Sequence, residues 1–270
     1  MIKHLGTYVC SLLAGVWLIF PIAHLSQKTL ETRFSYANHD LMQTAIQLNR
    51  SEPVPVLMYH SISFEKSPLC VSPKQFEIQL RNLLKHGFTP ITARDLFRAW
   101  DTGMKLPSRP VVLTFDDGYQ DNYTHAFPIL KKYKAKATLF VITGSIGKPR
   151  YLNWGQLEIM ERSGLVDVES HTVTHPDVRH LTRKQFYYEL AESKRVLETR
   201  LHKKVCMFAY PYGKYTKKWF PVLSAMGYQA AFTTKNRLTE YAQGRYSLKR
   251  LRVFPHDTFS HFPFEDRVDF

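Results

Sequence analysis

The sequence is poor in cysteine, with three in 270 residues: Cys10, Cys70 and Cys206. They show no zinc-ligand spacing and are too few for a disulfide framework, so neither staple is expected to hold the fold. Cys10 lies in an apolar leader, and Cys70 and Cys206 are read as buried free thiols rather than a bridge. Acidic residues are in the minority, 23 against 37 Lys and Arg, which leaves a formal charge of +14. Such an excess suits an anionic partner. There is no basic tail and no nucleic-acid-binding signature, so a membrane or cell surface is favoured over nucleic acid. Repeats and low-complexity tracts are also lacking, and a composition 44% apolar and 22% charged excludes a disordered chain. Formal charge is missing altogether from Leu5 to Gln27, a stretch long enough for the ~20 residues that cross a bilayer. Pro21, two positions before Ala23, makes a poor cleavage site. Residues 1–27 are therefore expected to be an uncleaved signal anchor, with a cleaved signal peptide as the alternative. Lys3 on one side and Lys28 and Arg33 on the other specify its orientation weakly.

Residues 28–52 read as a polar stem, helical around Leu30–Leu48, and 53–270 as one folded domain. In that domain short apolar runs alternate with helical patterns. "VPVLMYHSI", "RPVVLTF", "KATLFVIT", "LVDVES", "VCMFAY", "QAAFTT" and "YSLKRLRVF" read as strands. Between them lie helices with start and stop signals. One has Ser72 as N-cap, Pro73 at the first position, Gln75 completing a capping box and Gly87 at the end. Others are capped by Asn153 and Thr182, and one runs from Asp121 to Lys134 with a break or kink at Pro128. About seven strands alternating with helices predict an α/β fold with a parallel sheet, open or closed into a barrel. In such folds the chemistry lies beyond the carboxyl ends of the strands. His60, Asp116 with Asp117, His171 with His175, and "YPYG" all fall there.

His171 and His175 lie four apart in "SHTVTHPDV", so a turn can aim both imidazoles at one point; with one carboxylate they suit Zn²⁺. A metalloprotease needs Glu directly after the first His, and Thr172 stands there. Adjacent Asp116 and Asp117 cannot straddle a sugar at the ~5–9.5 Å that glycoside hydrolysis requires. A division of labour fits better: one carboxylate binds a cation and the other stays free as a base, the cation offsetting their repulsion. Asp121 or Asn122 is available to cap the helix that follows.

"TFDDGY", "SHTVTHP" and "FAYPYG", in this order and spacing, resemble the polysaccharide deacetylase family (carbohydrate esterase family 4, the NodB-like domain), over about Pro53 to Phe259. The resemblance implies a distorted (β/α) barrel and metal-dependent removal of N-acetyl groups from a GlcNAc-containing polymer. It implies Asp117, His171 and His175 as metal ligands, Asp116 as the catalytic base, and the Tyr212 backbone N–H as oxyanion donor. "LMYH", Leu57 to His60, resembles the permuted arrangement of poly-β-1,6-N-acetylglucosamine deacetylases and makes His60 the general acid, with His256 the runner-up. Where many members carry an Arg that pairs with the base, this chain has Ala209; Arg250 is expected to supply that charge, with Arg252, or no partner at all, as the alternative. Of the aromatic residues near the motifs, Tyr119, Trp154, Tyr210, Tyr212 and Tyr215, Trp154 and Tyr212 are expected to stack on sugar.

The expected cofactor is a divalent metal, Zn²⁺ first, with Co²⁺ or Ni²⁺ tolerated. The expected partners are an acetylated aminosugar polymer, the membrane through the N-terminal segment and polysaccharide synthesis machinery, with no nucleic acid. The catalytic domain is expected outside the cell. Peptidoglycan or a chitin-type chain is the alternative substrate, and an inactive polysaccharide-binding protein the alternative of another class.

Overall fold

The computed structural model describes residues 27–259. The expected anchor, residues 1–27, lies almost wholly outside them, and among the described residues no helix is long and apolar enough to cross a membrane. The chain divides into two units, Met1–Leu41 and Met42–Phe270. Helix α1 (Gln27–Ser51) covers the segment expected to be helical. Within the larger unit, Asn49 donates from Nδ2 to the carbonyls of Ala99 and Met104, both at 3.0 Å.

Strands β1 (Val56–Tyr59), β3 (Pro110–Phe115), β4 (Ala137–Val141), β5 (Val166–Ser170), β6 (Met207–Ala209), β7 (Ala230–Asn236) and β8 (Leu248–Arg252) form a closed ring. Every pairing in the ring is parallel. The first strand closes it, with Tyr59 paired to Phe115 of β3 and Met58 to Arg252 of β8. That is the distorted seven-stranded (β/α) barrel expected. An eighth strand, β2 (Thr89–Ile91), sits outside the ring against the first half of β3. Val112 pairs with both Val56 and Ile91, and Phe115 with both Tyr59 and Leu139, so β2 and β4 share the edge of β3 that β1 does not use.

Alternation along the strands separates two cores. One set, including Leu113, Leu139 and Val168, faces the helices: Phe76, Leu80 and Leu83 of α2 (Pro73–Lys85), Leu157 of α5 (Trp154–Arg162), and Phe186 and Leu190 of α6 (Arg183–Leu201). The other set, including Val112, Phe140, Ala209 and Phe232, lies inside the barrel and meets Phe97 and Trp100 of α3 (Ala93–Thr102). β2 and α3 are additions to the expected series. Thr92 and Asp95 form a complete capping box on α3, and Gly103 ends it at φ 70°.

Two local expectations need correction. Ser72 accepts from the Gln75 N–H at 3.2 Å, but the Gln75 side chain donates to the Asp257 carbonyl at 2.7 Å instead of closing the capping box. Asp121 stands at the N-cap of a π-helical segment, Asn122–Ala126, but its side chain makes no cap bond; that segment leads into α4 (Phe127–Tyr133), with Pro128 at its start. The side chains of Asp121 and Asn122 are used elsewhere, on the segment after β1. Cys70 and Cys206 are free and buried, as expected.

Candidate metal and catalytic centre

The adjacent carboxylates sit where β3 ends. Asp116 is still tied to the sheet, its N–H donating to the Tyr59 carbonyl at 3.0 Å. Asp117 and Gly118 then adopt φ 74° and 77°. Two consecutive left-handed residues turn the chain sharply, which is unusual for a non-glycine residue and costs strain. Gly118 suits this backbone, and a Cβ there would crowd Val141 Cγ1 at 3.0 Å. The turn lets two neighbouring side chains serve one site, although on a strand they would face opposite ways.

His171 follows β5 and keeps the ladder going, its N–H donating to the Val141 carbonyl at 3.0 Å. Its Nδ1 lies 2.7 Å from the Ala209 carbonyl, an acceptor, so in the neutral ring Nδ1 carries the proton and Nε2 is the atom left to ligate. His175 reaches the same point from a backbone in which both Thr172 (φ 71°) and His175 (φ 59°) are left-handed. Asp117 Oδ1 is 3.4 Å from His171 Nε2 and 3.5 Å from His175 Nε2. Each of the three residues offers a ligand atom within 4.8 Å of the others.

The donor set fits a divalent cation: two imidazole nitrogens and one carboxylate that converge on one point. Burial, helped by neighbouring His171, pushes His175 down to about 4, so it is neutral at neutral pH. Burial acts the same way on His171, but hydrogen bonding to Asp117 and the charges of Asp116 and Asp117 outweigh it and raise its pKa. Asp117 is held below the usual carboxylate value, because its bond to His171 and the surrounding charges outweigh the cost of burial.

Asp116 has a different partner. Arg250, fully buried on β8, grips it with two parallel bonds, Nη1 to Oδ1 at 2.8 Å and Nη2 to Oδ2 at 2.7 Å. The guanidinium is fixed in turn by the Thr233 carbonyl and the Thr114 hydroxyl, each at 3.0 Å. Burial alone would raise the Asp116 pKa; the Arg250 charge and its bonds win and hold the group well below the carboxylate range. Arg250 is therefore the guanidinium that pairs with Asp116. The alternative, Arg252, points its guanidinium over the Phe254 ring at 5.3 Å.

His60 follows β1, with Nε2 4.0 Å from Asp116 Oδ2. Burial lowers its pKa against the pull of Asp116 and Asp117. Asn122 donates to the His60 carbonyl at 2.8 Å, and Asp121 accepts from the Ser61 hydroxyl at 2.6 Å and the Ile62 N–H at 2.9 Å. That is what Asp121 and Asn122 do in place of capping. His256, by contrast, is exposed and stacks on Phe254, in a segment tied to α2 through Gln75, Gln79 and Asn82.

Tyr212 stands over the metal cradle. Its ring centroid is 4.6 Å from that of His175, edge to face, and the residue is 57% exposed. Its φ of 58° is left-handed, and Gly213 beside it admits no side chain, since a Cβ would fall 2.3 Å from the Thr234 nitrogen. Trp154 opens α5, packs partly buried on the main core and lies beneath the Arg200 guanidinium at 5.2 Å. Tyr210 is buried, and Tyr215 stacks between it and Phe220. Two neighbours of the centre escaped the sequence reading as functional residues. Burial raises the pKa of Tyr119, and so does its hydrogen bond to Asp117. Glu189 of α6 is buried and bonds the segment between the two histidines. A charged residue in the buried stripe Phe186, Glu189, Leu190, Ser193, Leu197 was the available signal.

Residues 103–231 match the sequence profile of the family described as polysaccharide deacetylase. The chain is 35% identical over 237 residues to the Bacillus subtilis (strain 168) protein named "Putative polysaccharide deacetylase YxkH", covering 87% of this chain and 84% of that one. It is 29% identical over 221 residues to a poly-beta-1,6-N-acetyl-D-glucosamine N-deacetylase of Staphylococcus aureus (strain MSSA476), covering 76% of this chain and 74% of the relative. Among solved structures, the Streptococcus pyogenes deacetylase PplD in complex with acetate superposes with a TM-score of 0.75 at 30% identity, covering 81% of this chain and 99% of that one.

Proposed function

The chain belongs to the polysaccharide deacetylase family, and within that enzymatic activity we propose a metal-dependent N-deacetylase of poly-β-1,6-N-acetylglucosamine, held at the outer face of the membrane by its N-terminal segment. One observation carries the reading: a His–His–Asp cradle lies next to a second, ionised carboxylate that Arg250 holds apart from it. Asp117, His171 and His175 would hold the ion. When bound, a divalent cation supplies Lewis acidity toward the acetyl carbonyl and makes water a better nucleophile, with Zn²⁺ the first choice for this donor set. Asp116 takes a proton from the attacking water. The Tyr212 N–H stabilises the oxyanion that develops. Negative charge forming near His60 raises its proton affinity, so His60 takes up a proton from solvent and delivers it to the departing amine, while the proton accepted by Asp116 returns to solvent. The exposed Tyr212 ring offers a platform for one sugar face; Trp154, the other candidate, packs partly buried on the core beneath the Arg200 guanidinium.

The β-1,6 polymer is supported by the S. aureus relative, whose name states that substrate, and by His60 standing beside Asp116 at the end of the first barrel strand. The location rests on the uncharged run from Leu5 to Gln27. Acetate release from defined β-1,6 and β-1,4 GlcNAc oligomers, with metal added back, tests the substrate. Faster release from the β-1,6 series is expected; preference for β-1,4 oligomers would move the assignment to a peptidoglycan- or chitin-type chain. His60→Ala should lower kcat about 10²-fold with metal content unchanged. An unchanged rate, with the loss appearing in His256→Ala instead, would transfer the acid role.

A further inference from the structure

The segment from His171 to His175 belongs to no helix or strand, yet its backbone must hold two left-handed residues, Thr172 and His175. Such residues store strain and persist only where their surroundings enforce them. Buried or partly buried N–H groups need acceptors, and here the acceptors are side chains. The Thr172 N–H reaches Ser170 Oγ at 3.4 Å, and the His175 N–H reaches Thr172 Oγ1 at 2.9 Å. The two between them, Val173 and Thr174, both donate to Glu189 Oε2, at 2.7 and 2.9 Å. The Thr174 hydroxyl donates to Glu189 Oε1 at 2.6 Å. Glu189 is 6% exposed. On the other side the carbonyls of Thr172 and Val173 accept from the N–H groups of Thr143 and Gly144 at 3.1 and 2.9 Å. Gly144 is needed for that approach, because a Cβ would fall 2.5 Å from the Val173 oxygen.

We propose that Glu189 is a positioning residue for the metal centre: its carboxylate fixes the Val173–Thr174 backbone in the one conformation that brings the His175 Nε2 to the point shared by His171 and Asp117. Helix α6 thereby sets metal affinity from outside the centre, touching neither ion nor substrate. This inference rests on the metal-centre reading above. His171 does not need the brace, because the β4 ladder and the Ala209 carbonyl fix it separately. Loss of Glu189 therefore releases one ligand of three.

The test is Zn²⁺ affinity by chelator competition, together with the absorption spectrum of the Co²⁺ form, on the whole chain. Glu189→Ala should weaken Zn²⁺ binding about 10–100-fold, the range seen when supports of metal ligands are removed, and should shift the Co²⁺ bands. Glu189→Gln keeps an oxygen for both N–H groups and an amide that can donate to the Thr174 hydroxyl, so it should stay within about threefold of the parent. A purely structural role would leave affinity unmoved in any variant that folds. If Glu189→Ala fails to fold, Thr174→Val, at an exposed position, decides, with an expected weakening of about 3–10-fold for one lost hydrogen bond. Parental affinity and spectrum in Glu189→Ala, or in Thr174→Val where that variant decides, would overturn this inference alone. A parent chain that takes up no Zn²⁺ would overturn the metal-centre reading and this inference with it.

Discussion

Asp116→Asn is expected to bind one divalent ion per chain as the parent does and to lose about 10³-fold or more in kcat, within the range for removal of a positioned base. The two halves of that result follow from separate contacts. The cradle is built by Asp117, His171 and His175, with Asp117 Oδ1 3.4–3.5 Å from both imidazoles. Asp116 instead spends both carboxylate oxygens on Arg250. An amide keeps the shape but cannot accept a proton from water. Metal analysis and initial rates on one protein sample check both halves. Loss of the metal together with the rate would show that the two carboxylates act as one ligand set, and an undiminished rate would remove Asp116 as the base.

Arg250→Met should destabilise the fold by about 3–5 kcal/mol at neutral pH, because it strands a buried carboxylate without its countercharge. The effect has a defined pH dependence. Asp116 is held below its unfolded value in the native state, so the pair contributes fully above the unfolded pKa of about 3.9 and its contribution is lost as the pH falls through the folded value. The gap between parent and variant, measured by urea unfolding, should therefore be widest near neutrality and close in acid. Adding Asp116→Asn to Arg250→Met removes the stranded charge and should restore part of the lost stability. A double variant no more stable than Arg250→Met would mean that the cost comes from packing around the guanidinium.

Much of this centre was legible in the sequence because its residues sit at strand ends, where apolar runs stop and polar residues begin. His60, Asp116, Asp117, His171 and His175 all follow such runs, and the barrel brings them together. Arg250 was expected from the vacancy at Ala209, and the closed ring explains how: β8 adjoins β1, which adjoins β3, so the last strand faces the first carboxylate. Glu189 was missed because it lies within a regular helix, where one acidic residue passes as part of the polar face. Its place among Phe186, Leu190 and Leu197 on the buried stripe was the clue. α3 was missed although its signals are plain, a Thr92–Asp95 capping box and Gly103 at the end. Asp121 and Asn122 looked like caps by residue type. Their true partners, the backbone and hydroxyl groups of His60 to Ile62, are about 60 residues away in the chain, beyond the reach of local pattern.

The most direct measurement is acetate release from β-1,6-linked GlcNAc oligomers as metal-stripped protein is titrated with Zn²⁺, run in parallel on the parent and on Asp117→Asn. For the parent, the rate should rise from near zero and level off at one equivalent per chain, with Asp117→Asn inactive throughout that range. A rate indifferent to chelation and re-addition, or an Asp117→Asn titration that overlays the parent's, would contradict the assignment of Asp117, His171 and His175 as the metal centre of this deacetylase.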